Sequence, residues 1–110
     1  MTLSQYQQIA ERTLTDNLRE DSAARVYHAI YGLLAEAGEV AGVLQKHERG
    51  DYGVGETLHK LHDELGDVLW YLAEICSAHG WSLDDIADAN IDKLQSRQEL
   101  GAIRGSNRDE

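Results

Sequence analysis

The sequence predicts an all-α domain, and three observations predict it. Proline is absent from all 110 residues, so the strongest interrupter of helices is missing. The chain is 42% hydrophobic but only 6% aromatic, with no phenylalanine, a composition in which alanine, leucine and glutamate are abundant. Apolar residues recur three and four positions apart through several long segments, the period of a helix with one buried face. The expected architecture is an antiparallel bundle of about four helices. At this length one domain is expected, burying about 60–70% of its unfolded surface and gaining further core by oligomerising.

The first helix is expected over residues 4–16, capped by Ser4 and carrying Tyr6, Ile9, Ala10, Thr13 and Leu14 on one face. Residues 17–21 read as a break. A long second helix follows over 22–49, with Val26, Ile30, Leu33, Leu34, Ala37, Val40, Ala41 and Leu44 as its stripe. Lys46, His47 and Arg49 lie in its last turn, where cations complement the helix dipole, and Gly50 is a natural stop. The glycine-flanked stretch 51–55 around Tyr52 predicts a loop. The third helix is expected over 56–79, ended by Gly80. The fourth, over 82–98, opens on Ser82-Leu83-Asp84-Asp85 as a capping box, with Trp81 and Ile86 as a hydrophobic staple. The helical domain thus occupies residues 1–100, and 101–110 reads as a loosely ordered tail.

Charge and composition exclude several functions. The net charge is −10 with no run of lysine or arginine, which argues against a DNA or RNA polymer as partner. Cys76 is the only cysteine, which excludes an intrachain disulfide and suits a small buried hydrophobe. The first residues carry no leader pattern, and no stretch of 18 apolar residues occurs. A cytoplasmic protein with no membrane partner is the expectation.

The chemistry is concentrated in two acidic signatures 28 residues apart, Glu36-Ala37-Gly38-Glu39 and Glu64-Leu65-Gly66-Asp67. Their apolar stripes match as well: Ile30, Leu33, Ala37, Val40, Ala41 and Leu44 align with Leu58, Leu61, Leu65, Val68, Leu69 and Leu72. Residues three apart on a helix share a face, so each signature presents a carboxylate pair. The expectation is that both pairs flank one groove when the helices pack stripe to stripe. Two carboxylates about 5 Å apart repel by roughly 3 kcal/mol at an effective dielectric near 20. Four in a groove therefore protonate, splay or bind a cation. An oxygen-only ligand set selects hard ions, Mg²⁺ or Mn²⁺, and a carboxylate-bound divalent cation points to phosphate chemistry. Gly38 and Gly66 lie inside the signatures, where glycine costs about 1 kcal/mol relative to alanine. They predict a close approach by backbone, water or substrate.

Other residues carry weaker signals. Lys93 and Arg97, four apart on the last helix, could face one phosphate chain, and Lys46 and Arg49 could do the same. Tyr52, Trp70, Tyr71 and Trp81 could stack on a base, although packing is the commoner use of such residues. His59 and His62 lack the pattern of a zinc site, and Glu56-x-x-His59 is a single ExxH where a di-iron bundle needs two. His62-Asp63, with His28 and Asp88, is the alternative ligand set of an HD-type metal phosphohydrolase. A non-catalytic helical interaction module is a further alternative.

Glu36-x-x-Glu39 followed after 24 residues by Glu64-x-x-Asp67 resembles the ExxE…ExxD signature of the MazG-like nucleoside triphosphate pyrophosphohydrolases. The surroundings are similar too: residues 28–40 (HAIYGLLAEAGEV), 64–72 (ELGDVLWYL) and Asn90-x-x-Lys93-Leu94-x-x-Arg97. The likeness covers most of residues 5–98 and is to the short single-domain bacterial and phage type. It implies Mg²⁺-dependent hydrolysis of a nucleoside or deoxynucleoside triphosphate, dGTP or another dNTP among the options, to monophosphate and pyrophosphate. This would serve nucleotide-pool control or housecleaning. It also implies that Glu36, Glu39, Glu64 and Asp67 hold the metal, that Lys93 and Arg97 meet phosphates with Asn90 nearby, and that the chain is a homodimer or homotetramer. On this reading Glu39→Gln abolishes turnover and leaves the fold intact. The chain departs from the resemblance after Arg97, where Gln98-Glu99-Leu100-Gly101 replaces an aromatic-Pro-x-Gly turn.

Overall fold

The structure, a computed structural model, describes residues 1–104, with side chains through Gly101. The described residues contain five α-helices and no strand: α1 (Leu3–Glu11), α2 (Asp16–Glu20), α3 (Ser22–Glu48), α4 (Val54–His79) and α5 (Leu83–Arg104). The all-α expectation holds, with one helix more than the four anticipated. No helix among the described residues is long and apolar enough to cross a membrane.

The extra helix comes from dividing the predicted first one. Thr2, not Ser4, caps α1: its hydroxyl accepts from the Gln5 N–H at 3.0 Å, and the Gln5 side chain accepts from the Thr2 N–H at 2.7 Å. These reciprocal bonds satisfy two donors that a helix start leaves unpaired. α1 stops at Glu11, and the expected break contains α2. Arg19 explains why this turn is stable. Its guanidinium donates back to the carbonyls of Glu11 and, at 3.3 Å, Leu14, while Leu14 buries its side chain. Asp21 then caps α3 by accepting from the Ala24 N–H at 3.0 Å.

α3 and α4 form the long hairpin on which everything else rests. Their partners run in opposite directions along the two helices: Arg25 meets Glu74, Gly32 meets Tyr71, Glu36 meets Glu64, and His47 meets Thr57. The pair is therefore antiparallel. Gly50 and Gly80 end the two helices with φ of 88° and 72°. In both cases the next N–H reaches back five residues, Asp51 to Lys46 and Trp81 to Cys76, each at 2.8 Å, as expected where glycine takes the left-handed position after a helix.

The buried seam of α3 is Ala29, Gly32, Leu33, Glu36, Val40 and Val43, all buried or half-buried. This corrects the predicted stripe-to-stripe packing in part: Leu33 and Val40 of the α3 stripe and Leu61, Val68 and Leu69 of the α4 stripe are half-buried, but the rest are not. Ile30, Ala37, Ala41 and Leu44 on α3, like Leu58, Leu65 and Leu72 on α4, are exposed. The apolar residues of α3 cover more of the helix than one contact uses, so the longest stripe is not the seam. Within the seam, Gly32 is the glycine that packing demands. A Cβ there would lie 2.1 Å from Cε1 of Tyr71. Gly38 and Gly66, expected to mark a close approach, have nothing within 4 Å of an added Cβ.

α1 lies across α4 and anchors α5. Ala73, Cys76 and Leu83 form a small core with Tyr6 and Leu69 packed against it. The predicted capping of α5 takes a different form. The Ser82 hydroxyl pairs with that of Ser4 at 2.9 Å, and the Gln7 carbonyl oxygen of α1 accepts from the Leu83 N–H at 2.8 Å. An orphan donor of α5 is thus satisfied from another helix. α5 continues to Arg104, past the predicted end near residue 98 and into the segment read as tail. Residues 105–110 of that tail lie outside the described residues.

Candidate metal and nucleotide site

Glu36 is one turn beyond Gly32 on the seam of α3, and Glu64 is on the facing seam of α4. Asp67 follows three residues later on the same side. Carboxylate oxygens of these three residues lie within 4.8 Å of one another. Glu36 and Glu64 are half-buried and Asp67 is exposed, so the cluster is open to solvent on one side. Glu36 and Glu64 thus sit within the helix contact, with Asp67 at its exposed edge. Glu39, the fourth predicted acid, is exposed and outside the three-residue group. Its charge still reaches Glu36.

The electrostatics of the cluster are unfavourable without a counterion. The Glu36 carboxyl is pushed above its usual range. Withdrawal from water is the largest cause, followed by a hydrogen bond shared with Glu64 and repulsion from Asp67, Glu64 and Glu39. The same field extends to α1, where burial first and the Asp67 charge second raise the Tyr6 phenol. Clustered acidic oxygens with no nitrogen or sulfur among them are a donor set suited to a hard divalent cation.

The remaining predicted residues divide. Asn90, Lys93 and Arg97 lie on α5, which touches α1 and α4 but not α3 among the described residues. A single chain therefore does not place α5 against the helix that carries Glu36. Lys46, at the end of α3, has its ammonium 5.7 Å from the Tyr52 ring centre, while Arg49 is paired with Asp51 at 2.5 Å. Trp70 and Tyr71 are packing residues. Trp70 donates to Thr13 Oγ1 at 2.8 Å and meets Tyr71 edge-on at 4.9 Å, and Tyr71 fills the space beside Gly32. Trp81 stacks on His79 at 4.3 Å, about 20 Å along α4 from Asp67 at 1.5 Å per residue. The HD-type set does not assemble. Among the described residues His28, His62, Asp63 and Asp88 form no common ligand group, and His28 and Asp88 lie on helices, α3 and α5, that do not touch.

Lys60 is a further candidate that sequence spacing alone does not single out. It is four residues before Glu64, and its ammonium is 5.0 Å from the centre of the same Tyr52 ring. The i, i+4 spacing was visible, but its convergence with Lys46 depends on the path of the loop.

Five helices with carboxylates from two antiparallel neighbours converging in their seam define an all-α protein with a candidate acidic metal centre. Residues 27–101 match the family described as the MazG nucleotide pyrophosphohydrolase domain, and the chain belongs to that family. It is 39% identical over 88 residues to the Gene 37 protein of Mycobacterium phage L5, covering 78% of this chain and 77% of the relative. It is also 32% identical over 74 residues to the protein YvdC of Bacillus subtilis (strain 168), covering 61% and 70% respectively. No solved structure matches the chain.

Proposed function

We propose that this chain hydrolyses a nucleoside or deoxynucleoside triphosphate at the α-phosphorus, giving the monophosphate and pyrophosphate with Mg²⁺, or Mn²⁺ in its place. The observation that carries this reading is the convergence of Glu36, Glu64 and Asp67 within 4.8 Å in a chain of the MazG family. These three carboxylates would hold the cation, and Glu39 adds negative charge beside them. When bound, the cation supplies charge neutralisation and Lewis-acid polarisation of the phosphate. The protein's own contribution is to fix the carboxylates in a rigid helix seam, so that the site is organised before substrate arrives.

Asn90, Lys93 and Arg97 are assigned to the phosphates. Since among the described residues α5 does not touch α3 within one chain, we place this contact between copies of the chain, in a homodimer or homotetramer. The exposed stripe of Tyr27, Ile30, Tyr31 and Leu34 on α3, with Tyr31 and Leu34 each 67% exposed, supports association. Apolar surface of this kind on a soluble chain marks an interaction site.

The test is a panel of canonical and modified (d)NTPs assayed in H₂¹⁸O with Mg²⁺ and with Mn²⁺. The expected products are ¹⁸O-labelled monophosphate and unlabelled pyrophosphate. Release of orthophosphate instead, or no turnover of any nucleotide, contradicts the proposal.

A further inference from the structure

Beyond the acids, the hairpin carries a second group of side chains that the metal reading does not use. Tyr52 is in the loop between α3 and α4, half-buried, and its backbone is pinned. The Thr57 hydroxyl donates to the Gly53 carbonyl at 2.8 Å, so its oxygen and the Tyr52 carbonyl both face His47 Nδ1 as acceptors, each at 3.0 Å. His47 Nδ1 therefore carries the hydrogen and ties the loop to both helices. The ring held by this loop lies 5.7 Å from the Lys46 ammonium and 5.0 Å from that of Lys60, within the range of cation–π attraction.

The Tyr52 ring thus brings one ammonium group from each long helix to the same loop. Among the described residues neither is paired with a carboxylate, although the chain has 20 acidic side chains against 10 lysines and arginines. Two ammonium groups on one ring, neither engaged by a carboxylate among the described residues, are available to an anion. Their location indicates which one. Lys60 is one helical turn before Glu64, about 6 Å along α4, so the cations continue the line of the acidic seam toward the loop. A polyphosphate with one phosphoryl group at the carboxylates extends its remaining phosphates along such a line.

We infer that Lys46 and Lys60, positioned by the Tyr52 ring, form a cradle for the β- and γ-phosphates of the substrate and for the pyrophosphate released from it. This rests on the triphosphate pyrophosphohydrolase reading above and adds the hairpin's own phosphate contacts to it. Lys46 and Lys60 contact the anion, and Tyr52 is a positioning residue that acts through them.

The test is titration of the full chain with inorganic pyrophosphate in Mn²⁺, alongside Mn²⁺ alone. The variants are Lys46→Ala/Lys60→Ala, Tyr52→Leu and Tyr52→Phe, each checked for helix content by circular dichroism. Loss of a charge-assisted contact predicts pyrophosphate binding at least about tenfold weaker in the double lysine variant. Tyr52→Leu should weaken it severalfold, Tyr52→Phe should restore it because the ring is kept, and Mn²⁺ affinity should stay unchanged throughout. With any nucleotide turned over, the same variants should raise KM more than they lower kcat. Pyrophosphate binding within twofold of the parent chain in the folded double variant, with Mn²⁺ still bound, overturns the cradle and leaves the metal site standing. A parent chain that binds no Mn²⁺ overturns both.

Discussion

At the scale of single residues, Glu36 is where stability and function conflict. Its carboxyl is raised because the fold withdraws it from water and surrounds it with Glu64, Asp67 and Glu39. The metal-free folded state therefore binds its proton more tightly than the unfolded chain does. By linkage, stability is favoured as pH falls through the raised value and eroded as pH climbs above the usual glutamate range. Glu36→Gln removes this effect. In metal-free protein its unfolding free energy from urea titration should exceed that of the parent by about 1 kcal/mol at neutral pH, and the gap should close on acidification through that window. Turnover should be lost in the same variant. Equal unfolding free energies at both pH extremes would show that the cluster carries no strain. The sequence revealed these acids because helical spacing alone places Glu36 with Glu39 and Glu64 with Asp67. It did not reveal that Glu39 stands outside the group of three, since that depends on how α3 is rotated about its axis.

At the scale of elements, the α3–α4 hairpin owes its register to one close packing contact and one buried ion pair. Gly32→Ala would drive a Cβ to 2.1 Å from the Tyr71 ring. The ring cannot move far with Trp70 4.9 Å away on its edge. Overpacking of this kind should cost about 1–3 kcal/mol, measured as a lower denaturation midpoint. Gly38→Ala has open space around it and should instead stabilise the chain by about 1 kcal/mol through helix propensity. Arg25 joins three helices, donating to Glu74 on α4 at 2.7 and 2.9 Å and to Glu11 on α1 at 2.6 Å. Glu74 is 3% exposed. Glu74→Ala leaves Arg25 with only the more exposed partner, and a loss of about 3 kcal/mol is expected. The helix ends at Gly50 and Gly80 were legible because the left-handed position has few candidates other than glycine. The end of α1 was not, because its carbonyls are satisfied by Arg19, eight residues after Glu11, a link that no local pattern announces. The seam of α3 is hidden in the sequence for a related reason. The residues that face α4 include a glycine and a glutamate, while a more apolar stripe faces outward.

At the scale of the whole molecule, acids, hairpin and exposed stripe describe one device: a rigid helix pair that carries a charge cluster unstable by itself. A ligand that binds only the folded chain stabilises it by mass action, about 2.7 kcal/mol at a hundredfold excess over Kd. Mg²⁺ or Mn²⁺ should therefore raise the thermal midpoint of the parent chain, and should leave a Glu36→Gln/Glu64→Gln/Asp67→Asn variant unmoved. The most direct check is anomalous scattering from crystals grown with Mn²⁺. The account predicts a peak among the carboxylates of Glu36, Glu64 and Asp67, between the two long helices. Anomalous density elsewhere only, with those three side chains turned apart, would contradict it.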